Sequence, residues 1–145
     1  MATINATISV NSDIMSYPIN INTSMVMNKF QSCHGLEETS GMNVKKFNAV
    51  TAVKIIDNTE GTAGKASKVY IRNTGSSKTN FFYVAMANGV AASDSEETIG
   101  KLYGGDWMLM PYNGNVNITV ASSTDTETQM LEYMVFADGI VAAKG

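Results

Sequence analysis

Apolar and polar residues alternate over most of this chain. Near the N-terminus, Ile4, Ala6, Ile8 and Val10 are each separated by one polar residue, and residues 19–27 repeat the pattern. Successive side chains of a β-strand point to opposite faces, so this spacing is typical of strands with one buried face and one face in water. The N-terminal segment is therefore predicted to contain two strands.

The same alternation predicts six more strands farther along the chain, over residues 47–55, 69–71, 81–84, 107–111, 116–120 and 130–136. Residues 69–71 and 81–84 are rich in aromatic and β-branched side chains, and the Asn/Gly/Ser cluster 73–77 lies between them. That arrangement is typical of a β-hairpin. The sequence therefore predicts a hairpin centred on Asn73–Ser77.

Eight candidate strands separated by Gly- and Asn-containing turns, with no long helix, predict an all-β protein. The expected fold is a single-domain β-sandwich or jelly-roll-like barrel of about eight antiparallel strands. The domain is expected to span residues 1–145, with 1–10 and 138–145 as candidate N- and C-terminal arms. Charged residues make up only 16% of the chain, against about 25% in ordinary globular domains, so polarity comes mainly from Asn, Ser, Thr and Gly.

Charge and hydropathy exclude several classes of partner. The net charge is −3, Arg72 is the only arginine, and the basic residues cluster only at Lys45-Lys46. Nucleic-acid binding requires clustered Lys and Arg to neutralise phosphates, so no nucleic-acid partner is expected. No apolar window approaches the ~18 residues of a membrane span, and residues 1–10 lack the features of a signal peptide, so neither a membrane partner nor signal-directed export is expected.

The segment CHGLEETSG (33–41) holds the only cysteine and the only histidine, side by side. A structural zinc site needs four ligands, and no second Cys/His pair exists. A cysteine nucleophile needs a histidine next to it in space, but neighbours in an extended segment point to opposite sides. Cys33 and His34 are therefore predicted to lie in a polar loop, over about residues 31–42, with contact to a partner left open.

Two other motifs also lack the spacing that their chemistry would need. Gly104-Gly105 is followed by a predicted strand, whereas a phosphate loop has a GxxxxGK[ST] spacing and leads into a helix. Asp94, Glu96 and Glu97 lack the alternating carboxylates of a calcium loop and are predicted to be a solvated acidic loop. No catalytic, cofactor-binding or metal-binding residue is predicted, no cofactor is expected, and the protein is interpreted as non-enzymatic.

The aromatic and methionine residues allow two interpretations. Tyr103, Trp107 and Tyr112 are candidates for a sugar-stacking platform, because aromatic rings present flat apolar faces with a polar handle. Packing in the core or at a sheet edge is the favoured interpretation, because these residues alternate along a strand. Four methionines, Met108, Met110, Met130 and Met134, are predicted to fill gaps between the sheets.

Two stretches carry a resemblance to a known class of protein. KVYIRNTGSSKTNFFYVA (68–85) has the order strand, I-x-N-T-G turn, strand. IGKLYGGDWMLMPYNGNVNITVASSTDTETQMLEYMVF (99–136) has I-G-x-L-x-x-G-[DE], a strand to Pro111, an I-x-V strand and a closing L-E-Y strand. Together they resemble the small β-sandwich virion proteins of tailed bacteriophages, especially head-decoration and other accessory proteins.

This resemblance covers about half of the chain, and residues 1–66 lie outside it. It implies a non-enzymatic virion protein, made in the bacterial cytoplasm, that binds the major capsid protein or other virion proteins and reinforces the head shell. A tail or neck accessory protein is one alternative. A carbohydrate-binding or other adhesion module is another, and it would use the three aromatic residues named above.

The two termini suggest self-association as well. The first predicted strand, Thr3 to Val10, has no charged residue, so its edge would be unprotected in a monomer. A homo-oligomer, dimer or trimer, is therefore expected. Residues 140–145 include four apolar residues after the last predicted strand; they either fold back as an edge strand or dock onto a neighbouring subunit.

Overall fold

The computed structural model of the protein describes residues 4–14, 16–28, 36, 38–58, 67–87 and 97–137. These residues form eleven β-strands, all paired antiparallel. The strands are β1 (Asn5–Ser12), β2 (Ile19–Val26), β3 (Glu38–Thr39), β4 (Asn43–Phe47), β5 (Val53–Ile56), β6 (Ser67–Asn73), β7 (Phe81–Met86), β8 (Thr98–Tyr103), β9 (Trp107–Tyr112), β10 (Ile118–Ser122) and β11 (Gln129–Ala137). These described residues include no helix.

Strands β3 to β11 form two facing sheets, one of five strands and one of four, in which β4 to β11 have the topology of a jelly roll. One sheet has the order β5-β10-β7-β8, and the other has β11-β6-β9 with β3 and β4 both paired to the free side of β11. Consecutive strands from β4 onward lie in different sheets except for β7 and β8, so the chain crosses the sandwich repeatedly. Eight strands arranged in this way form a double-sheet jelly roll. The predicted all-β sandwich is confirmed.

The hydrophobic core lies between the two sheets and draws on both. Phe47 from the larger sheet and Phe82 from the smaller one meet edge-on, with ring centroids 5.0 Å apart. Side chains that are completely buried include Ile71, Val120 and Leu131. Alternate residues of each strand supply this layer, as the period of two along the sequence requires.

The predicted hairpin over residues 69–84 is wrong. β6 pairs with β9 and β11 in the larger sheet, whereas β7 pairs with β8 and β10 in the smaller one. Residues between β6 and β7 therefore bridge the two sheets. The amide of Asn73 supports this crossing: its Nδ2 donates to the Leu102 carbonyl at 2.9 Å, and its Oδ1 accepts from the Gly75 amide at 2.9 Å.

Three other features of the strand pattern differ from the prediction. The single strand expected over 47–55 is divided into β4 and β5, which belong to different sheets. β8 was not predicted, and β3 lies inside the segment expected to be a polar loop. β3 and β4 are separated at Gly41, which has a positive φ of 74° that favours glycine. The proposed domain limits and terminal arms stay predictions.

Candidate functional site

The two N-terminal strands, β1 and β2, form a hairpin that is a separate two-stranded sheet. Directly opposite residues of antiparallel strands point to the same face. One face carries Ala6, Ile8, Val10, Ile19, Ile21 and Met25, and the other carries mainly Asn, Ser and Thr. Neither strand contains a charged residue. The two strands therefore form an uncharged ribbon with one apolar face.

This apolar face is open to solvent. Four of its side chains, Ile8, Val10, Ile21 and Met25, retain between 38% and 48% of their exposure, and at the hairpin's turn Ile14 and Tyr17 retain 83% and 85%. The prediction that these strands bury one face is therefore wrong. No residue of β1 or β2 belongs to the hydrophobic core between the two facing sheets.

Among the described residues, buried side chains anchor the hairpin at its base. Met27, which follows β2, is buried, and its amide donates to the carbonyl of Ile4 at 2.9 Å. The carbonyl of Met27 accepts from the amide of Leu36 at 2.6 Å, and Leu36 is completely buried. A two-stranded hairpin on its own is only marginally stable in water. Its exposed apolar face is thus a strong candidate for contact with another protein.

A second candidate surface lies on the outer face of the five-stranded sheet. The strand register places Glu132, Arg72 and Trp107 in one row across β11, β6 and β9. Arg72 Nη1 lies 3.5 Å from Glu132 Oε1. A shallow cleft of about 460 Å³ is lined by Tyr70, Arg72, Gly105 and Trp107. This row joins an aromatic ring to a charged pair on one surface.

Tyr70 links the cleft to the charged pair. Its hydroxyl donates to Glu132 Oε1 at 3.0 Å. Burial raises the pKa of the Tyr70 phenol above its ordinary value, and the hydrogen bond to Glu132 raises this pKa further. Nearby Arg72 acts in the opposite direction by favouring the phenolate. The phenol is therefore held in its neutral, donating form.

The structure separates the three aromatic residues that were considered as one sugar platform. Tyr112 is buried, and its hydroxyl donates to the Val116 carbonyl at 2.7 Å. Tyr103 belongs to the smaller sheet and packs against Phe81, with ring centroids 5.0 Å apart. Trp107 alone of the three lies in the cleft, where 51% of it is exposed. Sequence reasoning missed Tyr70, Arg72 and Glu132, whose partners are 60 or more residues away.

The methionine prediction is correct for one pair only. Met108 and Met110 pack against the core between the sheets. Met130 and Met134 belong to the opposite face of their sheet, since they alternate with the inward-facing Leu131 and Val135 in β11. A strand with both faces apolar does not reveal from its sequence which face is buried.

Gly104 and Gly105 have a structural role where the chain passes from β8 to β9. The amide of Gly104 donates to the Ser77 carbonyl at 2.9 Å, and that of Gly105 donates to the Asn73 carbonyl at 3.0 Å. These bonds join the β8–β9 crossing to the β6–β7 crossing. Gly105 also has a positive φ of 91°.

Several predicted positions lie outside the described residues, including Cys33, His34, Asp94, Glu96 and residues 138–145. The predictions for them stay predictions. Glu97 is described and is exposed. Within the described ranges, no group of three or more Cys, His, Asp or Glu side chains could hold a metal ion. Those ranges also contain no helix with the length and apolar character needed to cross a membrane.

Comparisons with known proteins give little further guidance. No family model matches the chain, and the search of curated proteins found no match. Among solved structures, the chain is similar to a protein from work on Bacillus endospore appendages, described as disulfide-linked pili. The two share 16% identity with a TM-score of 0.38, covering 76% of this chain and 99% of that chain. Such a similarity does not establish a shared function, and the resemblance to phage virion proteins stays a prediction.

Proposed function

We propose that this protein is a non-enzymatic structural subunit of a bacteriophage virion, most specifically a decoration protein that binds and reinforces the capsid shell. The observation that carries the proposal is the exposed apolar face of the hairpin β1–β2. Its partner would be a protein of the virion surface, chiefly the major capsid protein. The protein would be made in the bacterial cytoplasm and retained in the particle.

Burial of the hairpin face would stabilise such a complex. Fully burying a large apolar side chain contributes about 1.5–3 kcal/mol relative to leaving it exposed. Ile8, Val10, Ile21 and Met25 are each a little under half exposed, so each would contribute part of that amount. Ile14 and Tyr17 at the turn are almost fully exposed and would contribute more. Because β1 and β2 contain no charged residue, docking would not desolvate a charged side chain in either strand.

The fold agrees with this proposal at the level of analogy. Jelly rolls occur in viral capsid and lectin domains, although fold alone does not determine function. The resemblance of residues 68–85 and 99–136 to phage virion proteins supports the first of these. The expected self-association of the first strand is compatible with either class, since a decoration protein and a lectin can both be oligomers.

Particle composition tests the proposal directly. Mass spectrometry of purified virions should find this protein at high copy number. A triple variant, Ile8→Thr/Val10→Thr/Ile21→Thr, should lose retention on sedimented particles, because threonine keeps the β-branched shape but removes the apolar surface. The matched control is Ser9→Thr/Asn11→Thr/Asn22→Thr, which changes the opposite face to the same residue and should stay bound.

Both triple variants should melt close to the parent protein, because none of the altered side chains belongs to the hydrophobic core between the sheets. Light scattering of the free protein would show whether a second copy of the chain, rather than the capsid, covers the hairpin face. Absence of the protein from virions, or equal retention of the two triple variants, would refute the proposed role of this face.

A further inference from the structure

We propose that the cleft beside Trp107 binds a neutral oligosaccharide. Trp107 would supply the stacking surface, and Arg72 and Glu132 would supply hydrogen bonds to sugar hydroxyls. The cleft lies on the outer face of the five-stranded sheet, and none of the residues that line it belongs to the hairpin β1–β2. This binding is therefore independent of the proposed role in the virion.

Trp107 is placed to stack on a sugar ring. It is the only tryptophan in the chain, and half of it is exposed. The C–H face of a pyranose ring is apolar, and an indole ring offers a large flat apolar surface to it. The cleft is open beside Gly105, since a Cβ built at this position would have no atom within 4 Å.

Arg72 and Glu132 are placed to bind hydroxyl groups. The side chains of Arg72 and Glu132 are 47% and 18% exposed. Glu132 contacts both Tyr70 and Arg72 through Oε1. Its other carboxylate oxygen, Oε2, takes part in neither of these two bonds. A guanidinium offers five donors and a carboxylate about four acceptor positions. Adjacent sugar hydroxyls, which both donate and accept, can therefore satisfy the two groups together.

The spacing of the row fits more than one sugar unit. Glu132 and Trp107 are separated by two strand intervals, which corresponds to about 10 Å between their Cα atoms. That distance lets one ring stack on Trp107 while the next ring reaches the charged pair. The ligand is expected to be neutral, because Arg72 and Glu132 already balance each other's charge.

A sugar fits this cleft better than a dry protein interface does. Covering this partly exposed ion pair with apolar protein surface would remove its remaining water without replacing the hydrogen bonds, which is costly. Hydroxyl groups replace those bonds as they displace the water. The hairpin face is different, since neither of its two strands carries a charged side chain.

Tryptophan fluorescence provides a direct test, because Trp107 is the only tryptophan and selective excitation of tryptophan reports on this residue rather than on the tyrosines. The intact protein would be titrated with four neutral probes: maltohexaose, cellohexaose, chitohexaose and mannohexaose. At least one probe should shift the emission, with a Kd at or below about 1 mM. Isothermal titration calorimetry would measure the variants that lack the fluorophore.

Trp107→Ala should weaken binding at least about tenfold, since it removes the stacking surface. Glu132→Gln keeps the shape of the side chain but removes the negative charge, and it should weaken binding by a smaller factor. The control is Tyr103→Ala, which removes an exposed aromatic ring from the other sheet and should leave the affinity unchanged. Thermal melting would show that each variant remains folded.

The proposal is overturned if none of the four probes binds at about 5 mM, or if Trp107→Ala binds as tightly as the parent. It is also overturned if Trp107→Ala loses retention on virions while no sugar binds, since the cleft would then be a protein contact. The hairpin triple variant should bind the sugar normally. Loss of particle binding and loss of sugar binding are therefore measured separately.

Discussion

Replacing Asn73 with alanine is predicted to destabilise the fold far more than replacing an exposed asparagine. Asn73 is 1% exposed and lies at the end of β6, where the chain crosses to the other sheet. Its side chain donates to the Leu102 carbonyl and accepts from the Gly75 amide. One amide group therefore ties the β6–β7 crossing to β8.

The magnitude follows from these two bonds. Each hydrogen bond contributes about 1 kcal/mol net, and a buried partner left unsatisfied costs about 1–3 kcal/mol. Since Asn73→Ala removes both hydrogen bonds together, the free energy of unfolding should fall by about 2–4 kcal/mol. Total stability of a domain of this size is of the order of 5–15 kcal/mol. The variant should therefore remain folded but clearly weakened.

Urea unfolding followed by fluorescence would measure the loss, which corresponds to a midpoint shift of roughly 1–2 M. The control is Asn113→Ala, whose side chain is exposed and accepts from the Asn115 amide at 3.3 Å; it should change stability by no more than about 0.5 kcal/mol. Asn73→Asp has nearly the same shape but places an oxygen against the Leu102 carbonyl, so it should be as destabilising as alanine. If Asn73→Ala and Asn113→Ala unfold at the same urea concentration, the crossing does not depend on this amide.

Two further predictions concern the neighbouring crossing and the outer cleft. Gly104→Ala should lower the free energy of unfolding by about 3 kcal/mol, because its Cβ would come within 2.5 Å of the Ser77 carbonyl oxygen. The control is Gly100→Ala, whose Cβ meets nothing within 4 Å and which should melt within a few degrees of the parent. Equal melting temperatures for the two variants would contradict the predicted crowding at Gly104. The pKa of Tyr70 is raised in the folded state, so the unfolded chain loses this proton first and stability should fall as pH rises above about 10. Tyr70→Phe should reduce that alkaline loss in denaturation measured between about pH 8 and 11, and an unchanged slope would show that the phenol does not contribute.

The local pattern of the sequence was sufficient to locate several strands. Alternation over 107–111 and 130–136 corresponds to β9 and β11, which extend slightly beyond the predicted limits. Alternation has a period of two residues because of the strand backbone itself, so it is visible without knowledge of any partner. The same property explains the failure at residues 69–84: two strands joined by an Asn/Gly/Ser turn look alike whether they pair together or lie in opposite sheets.

The sequence by itself determined the all-β class, most of the strands and the uncharged character of the hairpin β1–β2, because these depend on residue types and short-range periodicity. Only the tertiary structure decided the jelly-roll order of the strands and the exposure of the hairpin's apolar face. It also brought Trp107 beside Arg72 and placed Glu132 at the other end of that row. These features depend on contacts between residues far apart in the chain, and they are decided by which apolar faces the sheets bury together in one core. No short window of sequence contains that information.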